Sequence, residues 1–287
     1  MNYRHAYHAG NFADVFKHAT LARTVLLLQK KDAAFRYVDT HAGPGLYDLT
    51  APGPAKSGEW RDGIGRLLAS NARSDLADLL QPYFDAISFA SETPVSTGHM
   101  PRRYPGSPAI VRYLARRQDR LTLTELHPEE RIDLAALYAG DIQVKVIELD
   151  GWLALKSFLP PKERRGLILI DPPFEEEGEF DRCLEGLVEA HQRFSTGVYM
   201  LWYPIKDARQ VRRFKDRLAA SGIRKILSAD LAVRAPTADG RLAASGLIVI
   251  NPPYTLDDEI RRLVSGLVKA LTQGPGAGGE VAWLVGE

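Results

Sequence analysis

Short apolar runs alternate with longer amphipathic stretches along this chain. Runs rich in β-branched and aromatic residues predict strands, and the stretches between them predict helices, for example Asp14–Leu28 and Asp257–Leu271. The predicted strands are Phe35–Asp39, Leu121–Glu125, Val144–Leu149, Leu167–Ile170, Val198–Trp202, Ile226–Val233, Leu247–Ile250 and Val281–Val285. This alternation, with nearly continuous apolar strands, favours an α/β fold with a mainly parallel sheet and helices on both faces.

One segment interrupts the alternation. From about Asp48 to Tyr104 no convincing strand is present, and helical stretches lie between a Pro- and Gly-rich opening and a polar loop. Insertions of this length between core strands often act as lids or hold substrate. We therefore expect a single domain over residues 1–287, with an inserted helical subdomain at residues 48–104 after the first core strand.

Composition narrows the class of protein. Of the 287 residues, 45% are hydrophobic and 25% charged, as in a soluble globular protein, and the apolar runs are too short to cross a bilayer. The polar, aromatic N-terminus does not predict a signal peptide. Cys183 is the only cysteine, so no intrachain disulfide can form, and we expect a cytoplasmic protein. A net charge of +1 neither requires nor excludes a nucleic-acid partner.

The first predicted strand runs into a glycine-containing turn, "YVDTHAGPGLY". Asp39 ends the strand, and Gly43 and Gly45 allow the backbone to pass close to a ligand. The spacing Asp-x-x-x-Gly-x-Gly differs from the dinucleotide fingerprint and suits the nucleoside-methionine part of S-adenosylmethionine, which carries no phosphate. An ordinary strand-to-helix turn is the alternative.

Two later strands are followed by acidic residues. Glu125, at the end of "LTLTE", is placed to hold ribose hydroxyls by charge-assisted hydrogen bonds. Asp150, in "LDGW", is placed to accept a hydrogen bond from an adenine amine, and Gly151 keeps the approach open. The alternatives are a surface glutamate and a common Asp-Gly turn.

The strand "LILI" runs into "DPPF", a motif with specific chemistry. The exocyclic amine of adenine is a poor nucleophile because its lone pair is delocalised into the ring. The Asp171 carboxylate and the Pro172 carbonyl can each accept one N–H of this amine, which orients the lone pair towards a methyl donor and stabilises the developing charge. The ring of Phe174 offers a stacking surface for a flipped-out base.

A second motif, "NPPY" at Asn251, is similar as a string of letters. The Asp171 strand is the fourth convincing strand, and we expect it beside the first, with both carboxyl ends facing one crevice. If the Asn251 strand is the antiparallel last strand of a methyltransferase sheet, Asn251 lies at the opposite edge, away from the cofactor. We therefore interpret its prolines as structural.

The N-terminal and basic segments leave alternatives open. "NYRHAYHAGNFADVFKHA" either binds RNA through its rings and cations or is the solvated start of an amphipathic helix, and without cysteine we do not expect a metal site there. The basic segments are either solvated helix faces or together a positive surface for a phosphate backbone. They span residues 100–120, 162–165 and 206–217.

Several blocks together resemble a known family. The blocks "YRHAYHAGNFADVFKH", "VDTHAGPGLY", "YPGSP", "LTELHP", "LDGW", "RRGLILIDPPFE", "LWYPI" and "SGLIVINPPY" resemble the bacterial large-subunit ribosomal RNA adenine-N6 methyltransferases of the J type over essentially the whole chain. The resemblance implies a Rossmann-type S-adenosylmethionine-dependent methyltransferase sheet with a helical insertion. It also implies methyl transfer from S-adenosylmethionine to one adenine of 23S ribosomal RNA.

The resemblance also implies site residues. Asp171 is the expected catalytic acceptor, and Tyr3 is the expected contact to the RNA substrate, with Lys17 nearby. Cofactor contacts carried over by position are His18, His41, Ser107, Glu125, Asp150, Gly151 and Asp171. Phe174 stands where other family members carry tyrosine, so stacking is kept but any role of a hydroxyl is lost.

We therefore expect a monomer that acts on 23S ribosomal RNA, without a metal or membrane association. A DNA adenine-N6 methyltransferase is an alternative, because the amine chemistry is identical. A non-catalytic RNA-binding protein on a methyltransferase scaffold is another, and the intact set of Gly43, Glu125, Asp150 and Asp171 argues against it.

Overall fold

The computed structural model describes residues 5–95, 100–237 and 240–286. Its strands are β1 (Arg36–Asp39), β2 (Leu46–Asp48), β3 (Arg103–Pro105), β4 (Arg120–Thr124), β5 (Val144–Ile147), β6 (Gly166–Ile170), β7 (Val198–Pro204), β8 (Ile226–Ala232), β9 (Ala244–Ile250) and β10 (Gly278–Val285). The α-helices are α1 (Phe12–Gln29), α2 (Pro52–Ser57), α3 (Arg66–Ala69), α4 (Ala72–Asp75), α5 (Ala77–Ser91), α6 (Ser107–Leu114), α7 (Pro128–Leu137), α8 (Gly151–Ser157), α9 (Glu179–Arg193), α10 (Ala208–Ala219) and α11 (Leu256–Leu271). A 3₁₀ turn (His5–Tyr7) and a π-helical turn (Arg61–Gly65) complete the regular elements of these residues.

The central sheet has eight strands in the order β10-β8-β9-β7-β6-β1-β4-β5. The strands β5, β4, β1, β6 and β7 run parallel to one another. The strand β9 is antiparallel to both β7 and β8, and β10 is antiparallel to β8. All eight strands predicted from the sequence are confirmed, and so is the Rossmann-type α/β fold.

The sheet is covered on both faces. Leu167 and Leu169 of β6 belong to a core that includes residues of α1, α5, α6 and α11. Ile168 and Ile170 of the same strand belong to a second core with α8, α9 and α10. Because successive side chains of a strand point to opposite faces, this division explains why the strand is apolar at every position.

The segment between β1 and β4 differs from the prediction at its borders. The expectation of no strand from Asp48 to Tyr104 is wrong there, because β2 and β3 pair antiparallel, with Tyr47 opposite Tyr104. Three residues are too few to show an alternating pattern, and the two strands find their partners only across the intervening helices. The helices α2 to α5 lie between them.

Helix α1 is buried on nearly all sides, packed against α5, α6 and α11. Asn11 begins the helix, and its side chain accepts hydrogen bonds from the N–H groups of Ala13 and Asp14. The alternative of a solvated amphipathic start is therefore wrong, because Lys17 and His18 are 3% and 1% exposed. Buried polar side chains need partners, and those partners lie at the end of the sheet.

In the described part of the chain, no helix is long and apolar enough to cross a membrane.

Candidate active site

A cavity of about 360 Å³ lies at the carboxyl ends of β1, β4 and β6, beside the start of α1. Its lining includes nearly all the site residues expected from the sequence, although they are spread over more than 150 positions. The expected residues that line it are Lys17, His18, His41, Gly43, Ser107, Glu125, Asp150, Gly151, Asp171, Pro172 and Phe174. Tyr3 lies outside the described residues.

The pairing of β1 with β6 explains why strand ends that are far apart in sequence meet here. Asp39 lies opposite Leu169 in the parallel register, so Asp171 follows β6 just beyond the end of β1. The N–H of Thr40 donates to the Leu169 carbonyl at 3.1 Å and continues the pairing past the strand. The prediction that the Asp171 strand lies beside the first strand is confirmed.

A buried lysine bridges two carboxylates at this point. Nζ of Lys17 lies 2.5 Å from Oδ2 of Asp171 and 2.9 Å from Oδ1 of Asp14. Burial alone lowers the pKa of Lys17, but the charges of Asp14 and Asp171 more than offset this and raise the pKa above its ordinary value. The lysine is therefore a permanent cation, and the three groups together carry a formal charge of −1.

Aromatic rings adjoin this charged group. Phe174 has a positive φ of 50°. Its ring packs edge-on against the rings of Phe180 and Trp202, with centroid distances of 5.0 and 6.0 Å. Nζ of Lys17 lies 5.9 Å from the centroid of the Trp202 ring, a cation–π distance. The Asp171 loop therefore combines a carboxylate with an apolar wall.

Glu125 is held by the backbone on both of its carboxylate oxygens. Oε2 accepts from the N–H of Gly43, and Oε1 accepts from the N–H of His127, each at 2.7 Å. Gly43 has a φ of +60°, which favours glycine. Each carboxylate oxygen has a second lone pair, so the oriented Glu125 can still accept hydrogen bonds from a ligand.

Asp150 and Gly151 begin helix α8. Oδ1 of Asp150 caps the helix by accepting from the N–H groups of Trp152 and Leu153. A β-carbon at Gly151 would lie 2.5 Å from the Thr40 carbonyl oxygen and 2.6 Å from Cε1 of His41. Glycine is required here because α8 begins against the end of β1. The Asp-Gly pair thus has a structural role as well as a place in the cavity.

Two networks of tyrosines and polar side chains lie below the cavity. His18 Nδ1 lies 2.8 Å from the Tyr104 hydroxyl, which lies 2.8 Å from the Tyr83 hydroxyl. Ser107 donates to Oδ2 of Asp39 at 2.7 Å, and Tyr37 donates to the same oxygen at 2.6 Å. Hydrogen bonds to buried groups therefore hold the side chains of two expected cofactor residues, His18 and Ser107, in place.

Some cavity residues were not singled out from the sequence. Glu59, from the segment between β2 and β3, accepts from Nδ2 of Asn11 at 3.1 Å and lies 3.0 Å from Nδ1 of His8. No sequence signal marks this glutamate. The Asp14–Lys17 spacing of three residues is a common helical ion-pair spacing, and Trp202 lies near the carboxyl end of β7. The ion-pair spacing could have identified Asp14 as a site residue, and the position at a strand end could have identified Trp202.

The "NPPY" motif lies at the other end of the strands. Ile250 of β9 pairs with Tyr199 near the start of β7, so Asn251 is remote from the cavity. Its Nδ2 donates to the carbonyl oxygens of Ser195 and Gly197, both at 2.8 Å. The predictions that this strand is antiparallel and that Asn251 lies away from Asp171 are confirmed. The expectation that it is the last strand, with Asn251 at an edge, is wrong, because β9 lies between β7 and β8 and β10 follows it. The contacts of Asn251 hold the loop before β7.

The basic segments do not gather around the cavity as a group. Lys206, from the segment 206–217, lines the cavity, as does Arg241, which belongs to none of these segments. Arg116, Arg120 and Arg165 lie near the amino ends of β4 and β6, at the opposite end of the sheet. The three arginines are used in local contacts, to Asp119 and to the carbonyl oxygens of Leu28, Gln29, Lys31, Ala33, Arg117 and Asp119. Among the described residues, no group of three or more His, Cys, Asp or Glu side chains is arranged to hold a metal ion.

Known proteins are similar to this chain in sequence and in structure. A protein named ribosomal RNA large subunit methyltransferase J from Escherichia coli (strain K12) is 41% identical over 288 residues, covering 100% of both chains. The protein of the same name from Haemophilus influenzae (strain Rd) is also 41% identical over 100% of both chains. A crystal structure of a Legionella pneumophila protein is 34% identical, with a TM-score of 0.86 over 96% of this chain and 98% of that one.

The family match covers most of the chain. A sequence model of the family described as "Ribosomal RNA large subunit methyltransferase D, RlmJ" matches residues 32–285. That range includes every strand of the central sheet and the loop of Asp171. The two full-length relatives extend the similarity to the N-terminal segment with Lys17. The chain belongs to the RlmJ family of ribosomal RNA large subunit methyltransferases.

Proposed function

We propose that this protein transfers a methyl group from S-adenosylmethionine to the exocyclic N6 amine of an adenine in 23S ribosomal RNA. The observation that carries the proposal is the position of Asp171, which shares one cavity with Glu125 and Asp150 and is held by the buried Lys17. The named relatives act on large-subunit ribosomal RNA. The cytoplasmic location and monomeric state expected from the sequence stay predictions.

The cavity residues fit S-adenosylmethionine. Its volume of about 360 Å³ lies within the usual range of small-molecule sites, roughly 300–1,000 Å³. Glu125 is oriented by two backbone N–H groups and suits the ribose hydroxyls, and Asp150 suits the adenine amine. Gly43 and Gly151 keep the backbone close to the ligand, and His41, whose pKa burial lowers, stays neutral beside it. The further contacts we assign are His18 and Ser107.

When bound, the cofactor would supply an electrophilic methyl group, and its sulfonium sulfur would keep the electron pair of the broken S–CH3 bond and leave as the neutral thioether of S-adenosylhomocysteine. Asp171 and the Pro172 carbonyl each accept one N–H of the target amine, which turns its lone pair out of conjugation with the ring. Because Lys17 occupies Oδ2 of Asp171, the amine is expected to bind at Oδ1. Asp171 then takes the proton that the methylated amine loses, and passes it to water.

The charge of the site favours this step. The amine becomes positive as the new bond forms, and the group of Asp14, Lys17 and Asp171 retains a formal charge of −1. Lys17 fixes the position of Asp171 without cancelling the negative charge. Electrostatic stabilisation of this kind acts strongly in a buried site, where water does not screen it.

RNA contacts are proposed at the mouth of the cavity. Phe174 stacks on the flipped-out adenine, and Trp202 supports the Phe174 ring from the side. Tyr3, which lies outside the described residues, is proposed as an RNA contact on the family resemblance alone. We also propose that residues 48–104 act as an inserted helical subdomain that grips RNA. This segment docks on the N-terminal turn through the N–H of Ile64, which donates to the Gly10 carbonyl at 2.8 Å.

Methyl-transfer assays on 23S ribosomal RNA and on duplex DNA, with radiolabelled cofactor, test the proposal. Mass spectrometry of RNA fragments with and without the protein then locates the product. We expect one adenine of 23S ribosomal RNA to gain a single methyl group and DNA to gain none. Methylation of DNA in preference to RNA, or of a different atom of the base, would overturn the proposal.

A further inference from the structure

Asp39 is fully buried beneath the cavity and has no direct access to it. Its side chain is 0% exposed, yet both of its carboxylate oxygens accept hydrogen bonds from residues that reach the cavity or support it. Charged side chains are rarely kept in such a place without a partner cation. Asp39 has no cationic partner among the contacts that the structure describes, so its complete burial calls for an explanation.

We propose that Asp39 is a positioning residue that makes the Ser107 hydroxyl a hydrogen-bond acceptor for the α-ammonium group in the methionine part of the cofactor. This inference deepens the proposed function and rests on it. Ser107 is a cavity residue, whereas Asp39 acts only through Ser107 and touches no ligand.

The direction of the Ser107 hydrogen bond follows from proton counting. An ionised carboxylate has no proton to donate, so the hydroxyls of Ser107 and Tyr37 must both donate to Oδ2 of Asp39, at 2.7 and 2.6 Å. A serine hydroxyl has one hydrogen, and here it is committed to Asp39. The Ser107 oxygen can therefore offer only lone pairs to a ligand, and its ligand must be a donor.

The cofactor has three kinds of donor: the adenine amine, the ribose hydroxyls and the α-ammonium. Under the proposed function the first two bind Asp150 and Glu125, which follow the neighbouring strands β5 and β4. Asp171 is assigned to the target amine, so we assign the α-ammonium to Ser107. Asp39 and Asp171 lie at the ends of the adjacent strands β1 and β6. Together with Asp14 and Lys17 they give this end of the sheet a net negative charge, which favours a cation over the methionine carboxylate.

Asp39 is ionised at neutral pH, as this argument requires. Burial raises the pKa of its carboxyl to about 6, the hydrogen bonds from Tyr37 and Ser107 oppose the rise, and the charge of Asp171 adds to it. The backbone N–H of the neighbouring His41 donates to Oδ1 of Asp39 at 3.3 Å. The His41 ring is neutral, because burial lowers its pKa. Tyr37 is protonated, because burial and Asp39 raise its pKa.

Calorimetry with two ligands tests the assignment. The ligands are S-adenosylhomocysteine and its analogue in which hydrogen replaces the α-amino group. We expect the natural protein to bind S-adenosylhomocysteine at least about tenfold more tightly than the analogue, as for a hydrogen bond to a charged group. Ser107→Ala and Asp39→Asn should each lose about tenfold for S-adenosylhomocysteine and leave binding of the analogue unchanged.

Asp230→Asn is the matched control. Asp230 also accepts a tyrosine hydroxyl, from Tyr203 at 2.6 Å, but it does not line the cavity. This variant should keep the preference between the two ligands. If Asp39→Asn fails to fold, the ligand preference of the natural protein is measured from pH 7.5 to 5. The preference should fall below about pH 6 in the natural protein, and Ser107→Ala should show little preference at any pH.

The outcomes separate the inference from the function on which it rests. If Ser107→Ala weakens both ligands equally or neither, Ser107 does not hold the ammonium. If Ser107→Ala is selective but Asp39→Asn and low pH are without effect, Asp39 does not set the direction of the hydrogen bond. If the natural protein binds neither ligand, the proposed function itself fails.

Discussion

Lys17 and Asp171 are 154 positions apart in the sequence, and their side chains meet 2.5 Å apart at the end of the sheet. The contact ties helix α1 to the loop after β6, so the N-terminal segment forms one wall of the cavity. Asp14 also contacts the ammonium, with Oδ1 at 2.9 Å from Nζ. The position of the proposed catalytic carboxylate therefore depends on a helix that precedes the whole sheet.

Replacing Asp171 by alanine should abolish methyl transfer to ribosomal RNA and leave the protein folded. The variant loses the proposed acceptor of the amine, while Lys17 keeps Asp14 as a partner. Methyl incorporation and circular dichroism are the measurements. Full activity of a folded Asp171→Ala protein would contradict the proposed role.

Asn251→Ala provides a control on the similar motif. The change removes two hydrogen bonds to the loop before β7 and should lower the free energy of unfolding by about 1–3 kcal/mol. Methyl transfer should persist, because Asn251 lies at the end of the strands away from the cavity. Denaturant titration measures the first effect, and an assay at low temperature the second. Inactivity of the folded variant would be inconsistent with the topology.

Lys17→Met should remove activity and also destabilise the protein. Two carboxylates, Asp14 and Asp171, would lose their shared cation, and breaking a buried ion pair in this way typically costs about 3–5 kcal/mol. Adding Asp14→Asn to Lys17→Met removes one of the two carboxylates that have lost the Lys17 ammonium. The double variant should recover part of the unfolding free energy but no methyl transfer. Recovery of activity in the double variant would show that Lys17 acts only on stability.

The sequence predicted the sheet well because buried strands leave a clear apolar pattern. The order of the predicted strands indicated that β6 lies beside β1, and this adjacency places Asp171 in the expected crevice. The burial of Lys17 could not be predicted from the sequence, because no local pattern distinguishes a solvated helix start from one that other helices cover. Glu59 was missed for a related reason, because its place depends on how the chain between β2 and β3 docks.

The strands β2 and β3 show another limit of prediction from the sequence. Each has three residues, and each is stabilised by the other across more than fifty positions. Pairing at that separation is a tertiary contact, which local periodicity does not record. The contacts behind the proposed role of Asp39 could likewise be predicted only in part. Its place at a strand end was evident, but its bonds to Tyr37 and Ser107 required the fold.

The free energy of unfolding should depend on pH between about pH 6 and 4 because of Asp39. The pKa of this acid is about 6 in the folded protein, above its ordinary value of 3.8, so the folded state binds the proton more tightly than the unfolded state. The contribution of Asp39 to the free energy of unfolding should therefore rise as the pH falls from about 6 towards 4, by on the order of 3 kcal/mol.

The comparison of natural protein with Asp39→Asn isolates this effect. Both proteins are unfolded by denaturant at pH 7.5, 6 and 5, and the difference in unfolding free energy is plotted against pH. The natural protein should gain stability relative to the variant as the pH falls. A difference that is constant, or that changes with the opposite sign, would contradict a raised pKa at Asp39.

Gly151→Ala should damage the cavity through backbone contacts alone. The added methyl group would meet the Thr40 carbonyl oxygen at 2.5 Å and the His41 ring at 2.6 Å, so α8 or the end of β1 must move. We expect a loss of about 1–3 kcal/mol in unfolding free energy, the usual range for overpacking, and weaker binding of S-adenosylhomocysteine. Gly278→Ala is the control, because a methyl group there has no neighbour within 4 Å and Gly278 has no positive φ. Calorimetry and denaturant titration on both variants measure the effects. Equal ligand affinities in the two variants would mean that the close approach of α8 to β1 is not needed to form the site.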